Sequence, residues 1–120
     1  MPFDWKEYLD LAKLLQNQKR NGYSQEAEFR SAVSRAYYAA FCHARNFIRN
    51  YEDFIPSNNA DDHFSVREYL RQQRKFDIAD NLNALRRWRN RCDYEDIVEN
   101  LSDLLIDALK NAQEVIDKLK

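Results

Sequence analysis

The chain has 120 residues, 44% of them apolar and 32% charged, an ordinary globular balance with room for one modest core, so residues 1–120 are expected to form a single domain. One Gly and two Pro in the whole chain argue against a sheet protein, which needs turn residues at short intervals, and favour a few long helices joined by short connections. The net charge of −1 argues against bulk electrostatic attraction to a polyanion, and no apolar run approaches the roughly 20 residues of a membrane span.

The first helix is predicted over residues 3–18, where Trp5, Tyr8, Leu9, Ala12 and Leu15 follow the 3–4 spacing of one buried face. Asn21-Gly22 breaks it, since Gly tolerates the positive φ of a turn. Ser24 is suited to N-cap a second helix that continues to about Asn50. Its Ala32, Ala36, Ala39, Ala40 and Ala44 alternate with Val33, Phe41, Phe47 and Ile48, and small residues among large ones allow close approach, so this is the expected central helix. Residues 51–62 read as a loop, with Pro56 and Asn58-Asn59 as turn chemistry.

A short basic helix follows over about 62–74, with Phe64, Val66, Tyr69 and Leu70 apolar. Asp77 is expected to cap a fourth segment whose Ile78, Leu82, Leu85 and Trp88 share one face. In the last helix Val98, Leu101, Leu105, Ala108, Ala112, Val115 and Leu119 are spaced alternately three and four apart. With Asp93 and Asp96 as a capping arrangement it would run from Tyr94 to Lys120, about 40 Å at 1.5 Å per residue. Such a helix would outrun its own core, which predicts that part of its seam, or of the central helix, buries against a second chain.

The opening MPFDWKEYLD has no basic-then-apolar signal pattern, so a cytoplasmic location is expected. Cys42 and Cys92 read as reduced thiols. With only His43 and His63 as histidines no zinc-type spacing exists, and neither a metal nor another cofactor is expected.

Charge is unevenly placed. Residues 67–91 hold eight cations against three acids, a local +5 that leaves −6 for the remainder. The densest part is Arg86-Arg87-Trp88-Arg89-Asn90-Arg91, expected at the junction of the fourth and fifth helices. Guanidinium groups hold phosphate bidentately at any relevant pH, Asn90 adds an amide, and Tyr94 would lie at the amide-rich start of the last helix. Arg86, Arg87 and Arg91 are the candidate phosphate or RNA ligands. The alternative is a solvated face whose arginines pair with Asp93, Glu95, Asp96 and Glu99. Trp88 continues the Leu85 face and reads as core. Tyr37 and Tyr38 point about 100° apart on a helix, so one should be buried while the other lines a groove or a dimer surface.

The stretch SRAYYAAFCHARNFI (Ser34 to Ile48), followed by LRRWRNRCDYEDIV (Leu85 to Val98), resembles the HEPN-domain family, and in particular its small prokaryotic members with an Arg-Asn-Arg-x-Asp-Tyr signature. The likeness takes in the opening DWKEYLDLAKLL and so nearly the whole chain. It implies an all-α antiparallel bundle of about five helices that forms a homodimer. It also implies a place in a toxin–antitoxin or defence module, beside a nucleotidyltransferase partner, with RNA as the target. In active relatives an arginine followed by Asn or Asp precedes a histidine by a short interval. Arg89-Asn90 matches the first half, but Tyr94 stands where the histidine is often found, and no histidine follows Arg89.

Cleavage through the ribose 2′-hydroxyl needs a group that moves a proton near neutral pH, which His does and Tyr does not without a large pKa shift. Arg89, Asn90 and Tyr94 are therefore the candidate catalytic set, with His43 or His63 as a proton carrier from another helix. His43, in an alanine-rich stretch, otherwise reads as a packing residue. His63, after Asp61-Asp62, otherwise reads as solvated in the first turn of the third helix. The expected function is RNA or nucleotide-phosphate binding with weakened or lost nuclease chemistry. An active metal-independent endoribonuclease and a non-catalytic helical adaptor are the alternatives.

Overall fold

The structure, a computed structural model, describes residues 2–17 and 24–120; the Asn21-Gly22 turn lies outside them. Five helices occur among the described residues: α1 (Lys6–Asn17), α2 (Gln25–Tyr51), α3 (Asp62–Gln72), α4 (Phe76–Tyr94) and α5 (Leu101–Lys118). None is long and apolar enough to cross a membrane.

α2 is the axis of the bundle and packs against α1, α4 and α5, while α3 lies mainly on α4. Its alanines 32, 36, 39, 40 and 44 are all fully buried, so neighbouring helices approach its backbone closely. Ser24 caps it by accepting from the Ala27 amide at 3.2 Å. Around it close Leu9 and Ala12 of α1, Val66 and Leu70 of α3, Ile78, Leu82 and Leu85 of α4, and Leu105, Ala108, Ala112 and Val115 of α5. Trp88 packs against this core, as its place on the Leu85 face predicts.

α1 starts at Lys6, three residues after the expected position, and the two largest departures from the sequence expectation are at the end of α4 and the start of α5. α4 runs on through the arginine cluster to Tyr94, and α5 starts only at Leu101, which gives it 18 residues or about 27 Å. The cluster therefore occupies the last turns of one helix and is not an inter-helix junction. Two i,i+4 pairs, Arg89–Asp93 and Arg91–Glu95, favour continuation of α4. Arg30 of α2 then caps its end: Nη1 donates to the carbonyls of Cys92 (3.0 Å) and Glu95 (2.6 Å), and Nη2 to that of Asp96 (3.0 Å). Asn100, left-handed at φ 54°, turns the chain into α5. Asp93 and Asp96 cap nothing, and the excess helix length that pointed to a second chain is absent. Likewise Asp77 lies inside the first turn of α4 and is not its cap.

α3 ends in a Schellman motif. The Lys75 amide donates to Leu70 O (2.8 Å) and the Arg74 amide to Arg71 O (2.9 Å), with Arg74 itself at φ 62°.

Candidate functional site

The α2–α3 loop is built on Asp62. Its buried carboxylate accepts from the Ser57 amide (2.8 Å), the Ser57 hydroxyl (2.7 Å) and the Asn58 amide (2.9 Å). Burial works against this carboxylate, but the Ser57 and Asn58 hydrogen bonds outweigh it and hold its pKa below the ordinary value. The loop so closed fixes the first turn of α3, and with it His63.

His63 is half-buried, contrary to the solvated position its sequence context suggests. Its ring stacks on Phe41 (centroids 4.3 Å apart, planes 10° apart) and meets Tyr38 edge-on at 6.2 Å. Its Nδ1 is hydrogen-bonded to the hydroxyl of Tyr37. The adjacent tyrosines divide as their angular separation requires: Tyr37 is buried in the core and Tyr38 lines an open cavity against α1 and the α2–α3 loop. Burial pushes the Tyr37 phenol well above its usual pKa, so it stays protonated at any relevant pH.

Arg67, one turn on in the same helix, donates to the His63 carbonyl (2.7 Å), and the charges of Arg67 and of Arg86 and Arg89 from α4 act on the imidazole. Burial first, then Arg89 and Arg67, lower the pKa of His63 below its ordinary value. Arg86 adds to this and Asp62 opposes it. The imidazole is thus neutral at pH 7. Burial first, and after it the charge of Arg86, lower the pKa of Arg67 as well.

Among the described residues only Arg89 of the three stands at ion-pair distance from a carboxylate, with Nε 2.9 Å from Asp93 Oδ2. That N–H points off the carboxylate and is buried without a hydrogen-bond partner, as is Nε of Arg86. Arg89 Nη1 donates to Asn90 Oδ1 (2.9 Å), and its guanidinium lies 5.2 Å from the Tyr38 ring and 5.8 Å from the Tyr94 ring. Arg86 Nη2 donates to Asn83 Oδ1 (3.2 Å), and Arg67 Nη1 to the His63 carbonyl (2.7 Å).

The remaining sequence candidates divide. Arg89, Asn90 and Tyr94 are brought together, but Tyr94 is exposed at the carbonyl end of α4 and not at the amide end of a helix, so the expected anion-binding contribution of backbone amides is lost. Arg91 pairs with Glu95 at 3.7 Å and Arg87 is exposed. His43 is a packing residue: its Nε2 lies 2.6 Å from the Leu119 carbonyl, which can only accept, so that nitrogen carries the proton and cannot act as a base. The histidine beside Arg89 is His63, and Arg67, absent from the candidate set, joins it. An alternation of small and aromatic residues on α2 facing a histidine at the start of α3 was the available signal.

Among the described residues no three His, Cys, Asp or Glu side chains group as a metal site. Cys42 and Cys92 are buried free thiols, with burial pushing Cys92 up to about 11. Comparison with protein-family models, with curated proteins and with solved structures gives no match to this chain.

Proposed function

We propose that this is a HEPN-like protein that holds RNA or nucleotide phosphate in the groove between α2, α3 and α4, with weakened nuclease chemistry. In this reading it acts as a homodimer, or with a nucleotidyltransferase partner, within a prokaryotic toxin–antitoxin or defence module. The observation that carries it is that Arg89 lies 5.2 Å from the Tyr38 ring and Arg67 donates to the His63 carbonyl, while among the described residues Asp93 is the one carboxylate at ion-pair distance from Arg67, Arg86 or Arg89. Clustered guanidinium groups repel one another, and a phosphate diester relieves that repulsion while using their free donors. In this reading the two sequence motifs of the HEPN resemblance supply the sides of the groove, Tyr38 from one and Arg86 and Arg89 from the other. Anisotropy of a labelled RNA oligonucleotide in EDTA, with wild type and Arg89→Ala across a salt series, tests it. Binding that weakens with salt and with the substitution supports the groove, and salt-independent binding refutes it.

The position of His63 favours a second reading, an active metal-independent endoribonuclease. This reading requires the tautomer in which Nδ1–H donates to the Tyr37 oxygen, which leaves the lone pair of His63 on Nε2 to take the proton of a ribose 2′-hydroxyl. The 2′-oxygen attacks phosphorus, the bond from phosphorus to the 5′-oxygen breaks, and that oxygen takes a proton from water as it leaves, while His63 returns its proton to solvent. The products are a 2′,3′-cyclic phosphate and a 5′-hydroxyl. The guanidinium groups offset the charge that builds on the phosphoryl oxygens. Product-end analysis separates this reading from binding alone.

A further inference from the structure

Beside His63 lies an open cavity of about 530 Å³, between the start of α1, the face of α2 and the α2–α3 loop. Arg35, Tyr38, Phe41 and Arg45 form its floor at the spacing of one face of α2, Trp5 and Tyr8 form one wall, and Asn58 and Asn59 the other. The Arg35 guanidinium lies 4.8 Å from the Tyr8 ring and 5.2 Å from the Tyr38 ring; that of Arg45 lies 5.8 Å from Trp5 and 5.9 Å from Phe41. Cation and aromatic surface are therefore one composite wall.

Neither arginine has a carboxylate at ion-pair distance among the described residues; Arg35 Nη2 donates to Ser34 Oγ (3.4 Å) and Arg45 Nε to Asn46 Oδ1 (3.1 Å). The one acid lining the cavity, Asp62, is already engaged by Ser57 and Asn58. The cavity is thus cationic, aromatic and of ligand size.

We infer that this cavity is a nucleotide subsite, taking one unstacked nucleotide of a single-stranded RNA whose neighbouring phosphate lies in the Arg89 groove. The inference rests on the groove reading above. A flat base stacks on aromatic rings and guanidinium planes alike, and such stacking is sequence-tolerant. Arg35 and Arg45 stand ten residues apart on α2, about 15 Å along its axis, so a base on the floor between them directs its flanking phosphates toward both ends. The Asn59 side-chain oxygen accepts from the Asp61 amide (2.8 Å), which leaves its NH2 group as a donor for a base edge. Tyr38 joins the two sites, since Arg35 and Arg89 each lie 5.2 Å from its ring and His63 meets its edge.

Trp5 reports on the cavity directly. In a Trp88→Phe background its emission is followed while a hexanucleotide RNA, and separately 5′-AMP, is added in EDTA. Anisotropy of the same labelled RNA is measured for wild type, Arg35→Gln, Arg45→Gln and Arg89→Ala. The subsite predicts saturable quenching of Trp5 by the RNA and a loss of about tenfold in affinity for each of the two α2 variants. Quenching by 5′-AMP at concentrations as low as for the RNA would identify a free nucleotide as the occupant of the same subsite. RNA binding that needs Arg89 but leaves Trp5 emission and both α2 variants unchanged overturns the subsite and spares the groove. No RNA binding by folded wild type overturns both. The quenching arm needs no cavity substitution, so it stands even where a variant fails to fold.

Discussion

The hydroxyl of Tyr37 and Nδ1 of His63 are hydrogen-bonded to one another, tying the middle of α2 to the first turn of α3. Because Tyr37 is buried and its phenol stays neutral, this contact orients the imidazole without charging it, and Nε2 is the nitrogen left for a ligand.

The endoribonuclease reading turns on that contact. His63→Gln should reduce cleavage of a labelled RNA in EDTA to background. Tyr37→Phe keeps the ring and the core and should lower the rate by about 10–100-fold, the range typical when a group that orients a histidine is removed. The rising limb of rate against pH should lie below pH 6.5, since burial, Arg89 and Arg67 depress the His63 pKa. Cleavage by His63→Gln at the wild-type rate would sink this assignment.

The same depression has a stability consequence. The folded state binds a proton at His63 less readily than the unfolded chain does, so the stability it contributes is complete above the unfolded pKa of about 6.5. It falls as the pH drops from there through the lower folded value. Urea midpoints measured from pH 8 to pH 5 should decline for wild type, and His63→Gln should flatten that decline. An unchanged slope in the variant would show that other groups govern it.

Arg89→Ala should weaken RNA affinity and reduce the slope of log affinity against log salt by about 1, because one phosphate contact disappears. Arg87→Ala, at an exposed position about 100° from Arg86 around α4, should change neither by a comparable amount. Equal losses from both would mean that general charge, and not a built groove, holds the RNA.

What the sequence reveals and conceals follows physical lines. The buried face of α2 is set by spacing alone and is present as read, and of the α5 seam the part from Leu101 to Val115 lies in the helix, while Val98 falls before it. The end of α4 was not legible, because its cap is supplied by Arg30, 62 residues before the Cys92 carbonyl it binds. Tyr94 was misplaced by the same error. His63 was misread because its local neighbours, Asp61 and Asp62, look solvated. In fact Asp62 turns inward to close the loop, and the ring is covered by Phe41, 22 positions away in the numbering and on another helix. Local pattern locates helices, whereas partners brought by tertiary packing decide which histidine meets the arginines.

Arg74 carries a removable cost. It occupies the left-handed position of a Schellman motif where glycine is preferred, and a side chain there costs roughly 1 kcal/mol. Its guanidinium is 6.0 Å from the Phe76 ring, a weak exposed contact. Arg74→Gly should therefore stabilise the protein by about 0.5–1 kcal/mol in urea denaturation, and Arg74→Ala should not. Destabilisation by the glycine would place the Phe76 contact above the backbone term.

Asp62 offers the severest test of the loop that carries His63. Its carboxylate holds two backbone amides and one hydroxyl while 4% exposed, so Asp62→Ala leaves those donors without their partner and should cost about 2–3 kcal/mol in urea unfolding. Since its folded pKa is depressed, the stability it gives is present above the unfolded value of about 3.9 and is lost as the pH falls through the folded one. The variant should lack this acid-side decline. Freed from Asp62, Asn58 and Asn59 lose their fixed place at the cavity wall, and the first turn of α3 loosens with them. Asp62→Ala should then weaken RNA binding at a temperature where the variant remains fully folded. A variant destabilised as expected but binding RNA like wild type would confine Asp62 to the fold and remove the loop from the site.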